Sequence, residues 1–260
     1  MSSGDSRRWW IPLLLAIQFL TRIPVPGLAG LTAEQARSGL SRAVIWFPLV
    51  GAIVGCVTAA TITLAESIWA RPIAVLLALA VEARLTGAFH EDAVADFCDA
   101  LGGGHDAEST RRIMKDSRIG SYGALGLLVA VGLRAALLTF VQADVLVIAA
   151  IASACFGRLL AVFVMALVPP LGHVEGLAKD VGGRTTGRDV LLACVIASTG
   201  LAGLIWVLPV QMAVSVIVAG LFIVWLWRLL LRRLGGSTGD CLGFAVYAGQ
   251  LIVLLSVTAH

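Results

Sequence analysis

An all-α, polytopic integral membrane bundle of about six to eight membrane segments is the fold class this sequence predicts, with a polar acidic helix or loop on one side. Three observations carry that prediction. Hydrophobic residues make up 59% of the 260-residue chain and charged residues only 13%, about half the charged share of an ordinary soluble domain. Mean hydropathy is +0.95. Apolar runs that reach or approach the roughly 20 residues needed to cross a bilayer core occur at 44–64, 124–143, 145–169, 191–210, 213–227 and 242–257.

Arg7 and Arg8 precede the apolar stretch 11–20, as in a signal peptide. No small-x-small cleavage site follows, and Arg22, Pro24 and Pro26 do, so the stretch reads as a retained, membrane-associated segment. The run 44–64 is the first full-length span. The next piece, 73–81, is too short to cross alone and reads as interfacial, re-entrant or half-spanning. Gln142-Ala143-Asp144 joins two spans, and Leu208-Pro209 joins two more, each tightly enough for an antiparallel hairpin. The run 242–257 is the last span. Gly, Ala and Ser are frequent in these runs and permit close helix contacts where lipid supplies no hydrophobic drive. No linker, low-complexity segment or short repeat divides the chain, so residues 1–260 read as one membrane domain.

Cations orient the bundle. The segment 84–122 carries Arg84, Arg111, Arg112, Lys115 and Arg118; 171–189 carries Lys179, Arg184 and Arg188; a third loop carries Arg228, Arg232 and Arg233. Two predicted spans separate consecutive loops of this set, which puts all three on one face, the cytoplasmic one. Cys56, Cys98, Cys155, Cys194 and Cys241 are odd in number and scattered, and read mostly as small buried hydrophobes, not disulfides. The net charge of +3 comes without an aromatic-interleaved basic patch, which gives no case for nucleic-acid binding.

Polarity concentrates in residues 82–123, which hold eight of the 16 acidic residues. Asp92, Asp96 and Asp99 are spaced i, i+4, i+7, so a helix places them on one stripe. Like charges on a stripe repel, and a bound divalent cation converts that repulsion into coordination. Oxygen-only ligands suit Mg²⁺ or Mn²⁺ better than Zn²⁺, and Mg²⁺ in turn points to a phosphate-bearing substrate. A solvated acidic face is the bland alternative, weakened here because ionisable groups between membrane spans tend to be functional. Glu91 lies about 100° off the stripe and reads as an outer or substrate-directed acid. His90 beside it is a candidate general base or a hydrogen-bonding structural group. Gly102, Gly103 and Gly104 end the helix and leave backbone N–H groups open to a pyrophosphate, or serve only as a terminator. Lys115 and Arg118 follow as cations for phosphate oxygens, or as membrane-face anchors.

Arg158 sits in the middle of the run 145–169, where it must face the bundle interior and pair with an anion, either a buried acid or a substrate phosphate. Arg134 has room to snorkel and is not a site candidate. Thr238 and Asp240 head the last span behind Gly235 and Gly236; they fit a helix N-cap and equally a phosphate-binding helix start.

These residues resemble the cobalamin synthases, the adenosylcobinamide-GDP ribazoletransferase family. The likeness rests on QFLTRIPVP at 18–26, Phe47-Pro48 with Gly51, and Thr86-Gly87 with His90, Glu91 and Asp92. It continues through Asp96, Asp99, LGGG at 101–104, IMKDSRIG at 113–120 with Tyr122-Gly123, and Thr238-Gly239-Asp240 with Gly243. It covers nearly the whole chain. The resemblance implies a Mg²⁺-dependent transferase of a bacterial inner (cytoplasmic) membrane, in which α-ribazole or its phosphate attacks the pyrophosphate of adenosylcobinamide-GDP and GMP leaves. Set beside that reaction, the residue reading gives metal at Asp92, Asp96 and Asp99, catalysis by His90, Glu91 and Asp92, and substrate contacts at Gly102, Gly103, Gly104, Lys115, Arg118, Arg158, Thr238 and Asp240. Family members commonly have glycine where this chain has Ala88, Ala93 and Ala100, and often acids near Tyr247 and Gln250. A homo-oligomer is left open. Two other readings compete. A CDP-alcohol-type phosphotransferase needs a second pair of spaced aspartates, where only Asp106 and Asp116 occur. A cation-coupled transporter predicts carboxylates scattered over several spans.

Overall fold

The computed structural model describes residues 10–171 and 185–259, without the side chain of Ala33, and among these its named elements are all helices. Arg7, Arg8, Lys179 and Arg184 lie outside the described residues. Helix α1 covers Ile11–Leu20, α2 Ala33–Ala43 and α3 Phe47–Ala65; short 3₁₀ turns occupy Pro26–Leu28 and Val44–Trp46. Then come α4 (Arg71–Thr86), α5 (Phe89–Gly103), α6 (Ala107–Met114), α7 (Ser121–Phe140), α8 (Leu146–Leu167), α9 (Gly187–Val207), α10 (Pro209–Arg233) and α11 (Gly239–Thr258).

Local chemistry sets the helix starts. Proline stands in the first turn of α1, α3, α4 and α10, where its missing N–H has no intrahelical partner to lose. Capping boxes open α2 (Thr32 with Gln35), α6 (Asp106 with Ser109) and α9 (Thr186 with Asp189). Each satisfies two of the orphan N–H groups of a helix start.

Six helical stretches are long and apolar enough to cross a membrane: 34–65, in which α2 runs on into α3, and α7, α8, α9, α10 and α11. Each of the six expected runs corresponds to one of them, and the chain is a multi-pass membrane protein. The short piece 73–81 lies in α4, which joins α5 through a 90° bend. The pair is a broken span or a re-entrant loop, and the acidic stripe lies on its second half.

Helix α8 is the hub. Against it, α3 and α11 close to backbone contact: a Cβ on Gly51 would overlap the Ala154 carbonyl, one on Gly55 would come within 2.7 Å of the Ala150 oxygen, and one on Gly249 within 2.8 Å of Gly157 Cα. Small residues at such crossings let dispersion contacts replace the absent hydrophobic drive.

The chain links that follow α5, α8 and α10 gather on one face, as the cation pattern predicts for the described loops. Ser237 N–H donates to Pro169 O at 2.9 Å, and Leu171 N–H to Ser237 O at 3.1 Å. Arg111 Nη2 donates to Leu234 O at 2.7 Å and Arg233 Nη2 to Gly104 O at 2.6 Å.

Candidate active site at the bent helix

The bend itself is built from two residues in the left-handed region, Gly87 (φ 77°) and Ala88 (φ 56°). Gly87 adopts it without a steric penalty, and Arg22 covers its Cα, leaving no room for a side chain. Ala88 is the one non-glycine with positive φ among the described residues. Along α5 each residue is turned about 100° from the one before, so successive side chains meet different neighbours.

His90 is buried and meets Phe89 edge to face. Its surroundings are a cavity of about 40 Å³ that Arg158 also lines. Glu91 turns the other way: its Oε1 lies 4.0 Å from Arg134 Nη1, and its buried Oε2 has no hydrogen-bond partner among the described residues. Asp92 is exposed and Asp96 half-buried. The charges that bear on Asp96 are those of Asp92, Asp240 and Asp99, all negative, and Asp92 bears on Asp240 as well. Asp240, in the first turn of α11, therefore belongs with the stripe, while Thr238 caps that helix through Cys241 N–H at 3.4 Å and donates to Met114 Sδ at 3.1 Å.

Asp99 has a different occupation from the one its spacing suggests. It is buried, and its two carboxylate oxygens accept from Gly120 N–H at 2.7 Å and Gly123 N–H at 2.8 Å, the unsatisfied donors at the start of α7. A Cβ at Gly123 would overlap the carboxylate. The glycine run also differs from the open phosphate cradle that the sequence suggests. The Cα of Gly102 faces the Tyr122 ring and that of Gly104 faces Thr110, each closely enough to exclude a side chain, while Ile113 approaches Gly103. These glycines let α6 and α7 pack on the end of α5. Lys115 is exposed. Arg118 is exposed and grips Asp116 with a two-pronged contact of 3.0 and 2.6 Å, which holds the Asp116 carboxyl down to about 2.

The buried charge cluster beneath the stripe has no counterpart in the sequence reading. Arg134 does not snorkel: its Nη2 donates to Glu82 Oε1 and Oε2 at 2.9 and 2.7 Å, Thr58 Oγ1 donates to Glu82 Oε2 at 2.5 Å, and Arg134 stacks 5.5 Å from the centre of the Tyr247 ring. A cation inside an apolar run needs an anion, and Glu82, closing the apolar stretch 73–81, was the signal for it.

No three His, Cys, Asp or Glu side chains among the described residues converge as a ready metal cage. Mg²⁺ does not require one, since it keeps several waters and is usually bound through one or two carboxylates plus substrate phosphates. Asp92 and Asp96, bearing like charge without an ion-pair partner among the described residues, fit that manner of binding.

Over residues 12–258 the chain matches the profile of the family described as cobalamin-5-phosphate synthase. It belongs to the cobalamin-5-phosphate synthase family. Similar curated proteins named adenosylcobinamide-GDP ribazoletransferase include one from Ralstonia pickettii (strain 12J), 38% identical over 97% of both chains. Another, from Leptothrix cholodnii (strain ATCC 51168 / LMG 8142 / SP-6), is 38% identical over 93% of this chain and 92% of its own. A third, from Vibrio cholerae serotype O1 (strain ATCC 39315 / El Tor Inaba N16961), is 35% identical over 95% and 92%. No solved structure matches at a significant level. The protein is thus a membrane transferase of cobalamin biosynthesis. For a cobalamin synthase, the alanines that stand where the family commonly has glycine now have a setting: Ala88 at the bend, Ala93 against Gly243, and Ala100 fully buried.

Proposed function

We propose that the protein transfers the adenosylcobinamide-phosphate group from adenosylcobinamide-GDP to α-ribazole or α-ribazole phosphate, releasing GMP and giving adenosylcobalamin or its phosphate. The observation that carries this reading is the uncompensated carboxylate cluster of Asp92, Asp96 and Asp240, where the bent helix meets the start of α11. Asp92 and Asp96 would hold Mg²⁺, which supplies charge stabilisation on the diphosphate being cleaved. Glu91 is the acceptor we favour for the ribose hydroxyl proton, because one of its oxygens has no partner among the described residues and the other faces Arg134. His90 is the second candidate. Lys115, which is exposed, supplies positive charge for the nucleotide, and Arg118 would do so by exchanging its Asp116 partner for phosphate oxygens.

The loop cations support a cytoplasmic placement of this face in a bacterial inner membrane, the side on which a nucleotide substrate is found. Lipid tails or a second copy of the chain cover the exposed apolar faces of α7, α9 and α10. The test is purified protein in detergent with adenosylcobinamide-GDP, α-ribazole and Mg²⁺, monitored for GMP. Release no greater than that of Asp96→Ala would sink the assignment.

A further inference from the structure

Helix α10 presents two unlike faces. Met212, Ser215, Ala219, Leu226 and Leu230 are its buried residues, and at about 100° per residue they share one side. Leu221, Val224, Trp225, Arg228 and Arg232 fall on the other side, and every one of them is exposed. They line a groove of about 410 Å³ along the helix. From Leu221 to Arg232 the helix rises roughly 16 Å, and over that length the groove changes character: its mid-span part is aliphatic and aromatic, its terminal part cationic.

The cations of the groove are not neutralised within the protein. Arg228 and Arg232 have no hydrogen-bond or ion-pair partner among the described residues, and no carboxylate is among the described residues of the groove. Arg233 borders it too, but its Nη2 donates to Gly104 O at 2.6 Å. One helical turn separates Arg228 from Arg232, so their Cβ atoms lie about 6 Å apart and their charges repel. Both guanidinium groups can reach the oxygens of one phosphate at that spacing, which turns the repulsion into charge-assisted hydrogen bonds. Water or a free phosphate would serve the arginines and leave Leu221, Val224 and Trp225 bare. A plain hydrocarbon tail would do the reverse. A ligand that satisfies the whole groove carries an anion and an apolar chain together.

The position along the span agrees with such a ligand. The arginine end of α10 stands with the end of the acidic helix through the Arg233 contact, on the face that the loop cations mark, where anionic lipid headgroups attract basic side chains. Trp225, between the apolar and cationic parts, is the residue type that sits at headgroup level.

We propose that this groove seats one anionic phospholipid, its phosphodiester on Arg228 and Arg232 and an acyl chain along Leu221, Val224 and Trp225. A zwitterionic headgroup brings an ammonium group for which the groove offers no carboxylate, so the acidic lipid is preferred. The site lies outside the transfer centre and does not rest on the transferase reading.

The experiment is native mass spectrometry of the full chain in detergent, titrated with phosphatidylglycerol, phosphatidylcholine or inorganic phosphate. The wild type should retain one phosphatidylglycerol, and phosphatidylcholine should need at least tenfold more lipid for the same occupancy. Replacing both arginines, Arg228→Gln with Arg232→Gln, should raise the phosphatidylglycerol requirement at least tenfold. Trp225→Ala should weaken retention of both lipids, and Arg188→Gln, which removes an exposed cation outside the groove, should bind like wild type. Equal retention of the two lipids, retention unchanged in the double variant, or a loss in Arg188→Gln as large as in the double variant overturns the proposal. So does displacement of the lipid by inorganic phosphate with Trp225→Ala unaffected, which makes the groove a soluble-phosphate site, or a lipid-free dimer that the double variant abolishes, which gives it to a second copy of the chain.

Discussion

Arg134 of α7 clasps both carboxylate oxygens of Glu82 in α4, at 2.7 and 2.9 Å, with each side chain only 3% exposed. Removing one partner leaves the other charge buried and alone, which typically costs about 3–5 kcal/mol. Glu82→Leu and Arg134→Met should each lower the unfolding temperature sharply in detergent. The paired replacement Glu82→Leu with Arg134→Met should recover most of the loss, and a double-mutant cycle of the four proteins checks it.

Asp96 and Asp99 lie on one helix and should separate cleanly. Asp99→Ala strips two N–H groups at the start of α7 of their acceptor, a capping loss of about 0.5–2 kcal/mol, visible in unfolding without any metal. Asp96→Ala should leave stability unchanged or raise it, because it relieves repulsion from Asp92 and Asp240. Its GMP release should fall by more than the roughly 10–100-fold typical of disturbing an outer-shell partner of a metal ligand.

The bend holds an alanine where the backbone favours glycine. Ala88 at φ 56° carries a left-handed penalty of about 1–2 kcal/mol, partly offset because glycine raises the entropy of the unfolded chain. Ala88→Gly should therefore be neutral to mildly stabilising and keep activity. A chemical-denaturation midpoint below that of wild type would contradict the account.

Gly51 offers the opposite case. Its Cα faces the backbone carbonyl of Ala154, which no rotamer change can clear, so Gly51→Ala must push α3 from α8. A loss of about 1–3 kcal/mol is expected from such overpacking. Gly220, inside α10 with open space around its Cα, is the control: Gly220→Ala should be neutral to stabilising by up to about 1 kcal/mol.

Much of the bundle was legible because hydropathy is a local property: lipid demands a run of apolar residues, and each run is continuous in sequence. The 90° bend was not, since Ala88 bears none of the usual marks of a left-handed residue and the 73–81 piece is short. The stripe was legible from the spacing of Asp92, Asp96 and Asp99, yet spacing says nothing of what faces a stripe. Asp240, more than 140 residues away in the chain, joins Asp92 and Asp96 through tertiary folding, and Asp99 is drawn off by α7 through the same kind of contact. Arg134 invited a snorkelling reading because its partner, Glu82, closes a different apolar stretch.

Arg233 reaches from the end of α10 to the Gly104 carbonyl, and Arg111 reaches back from α6 to the Leu234 carbonyl. Each half of this crossed clasp reads a helix-terminal backbone group, so neither depends on a side-chain partner that another mutation could remove. Its consequence is mechanical. The end of the acidic helix and the threshold of α11 are tied to each other at both arginines, and with them the two helices that carry Asp96 and Asp240.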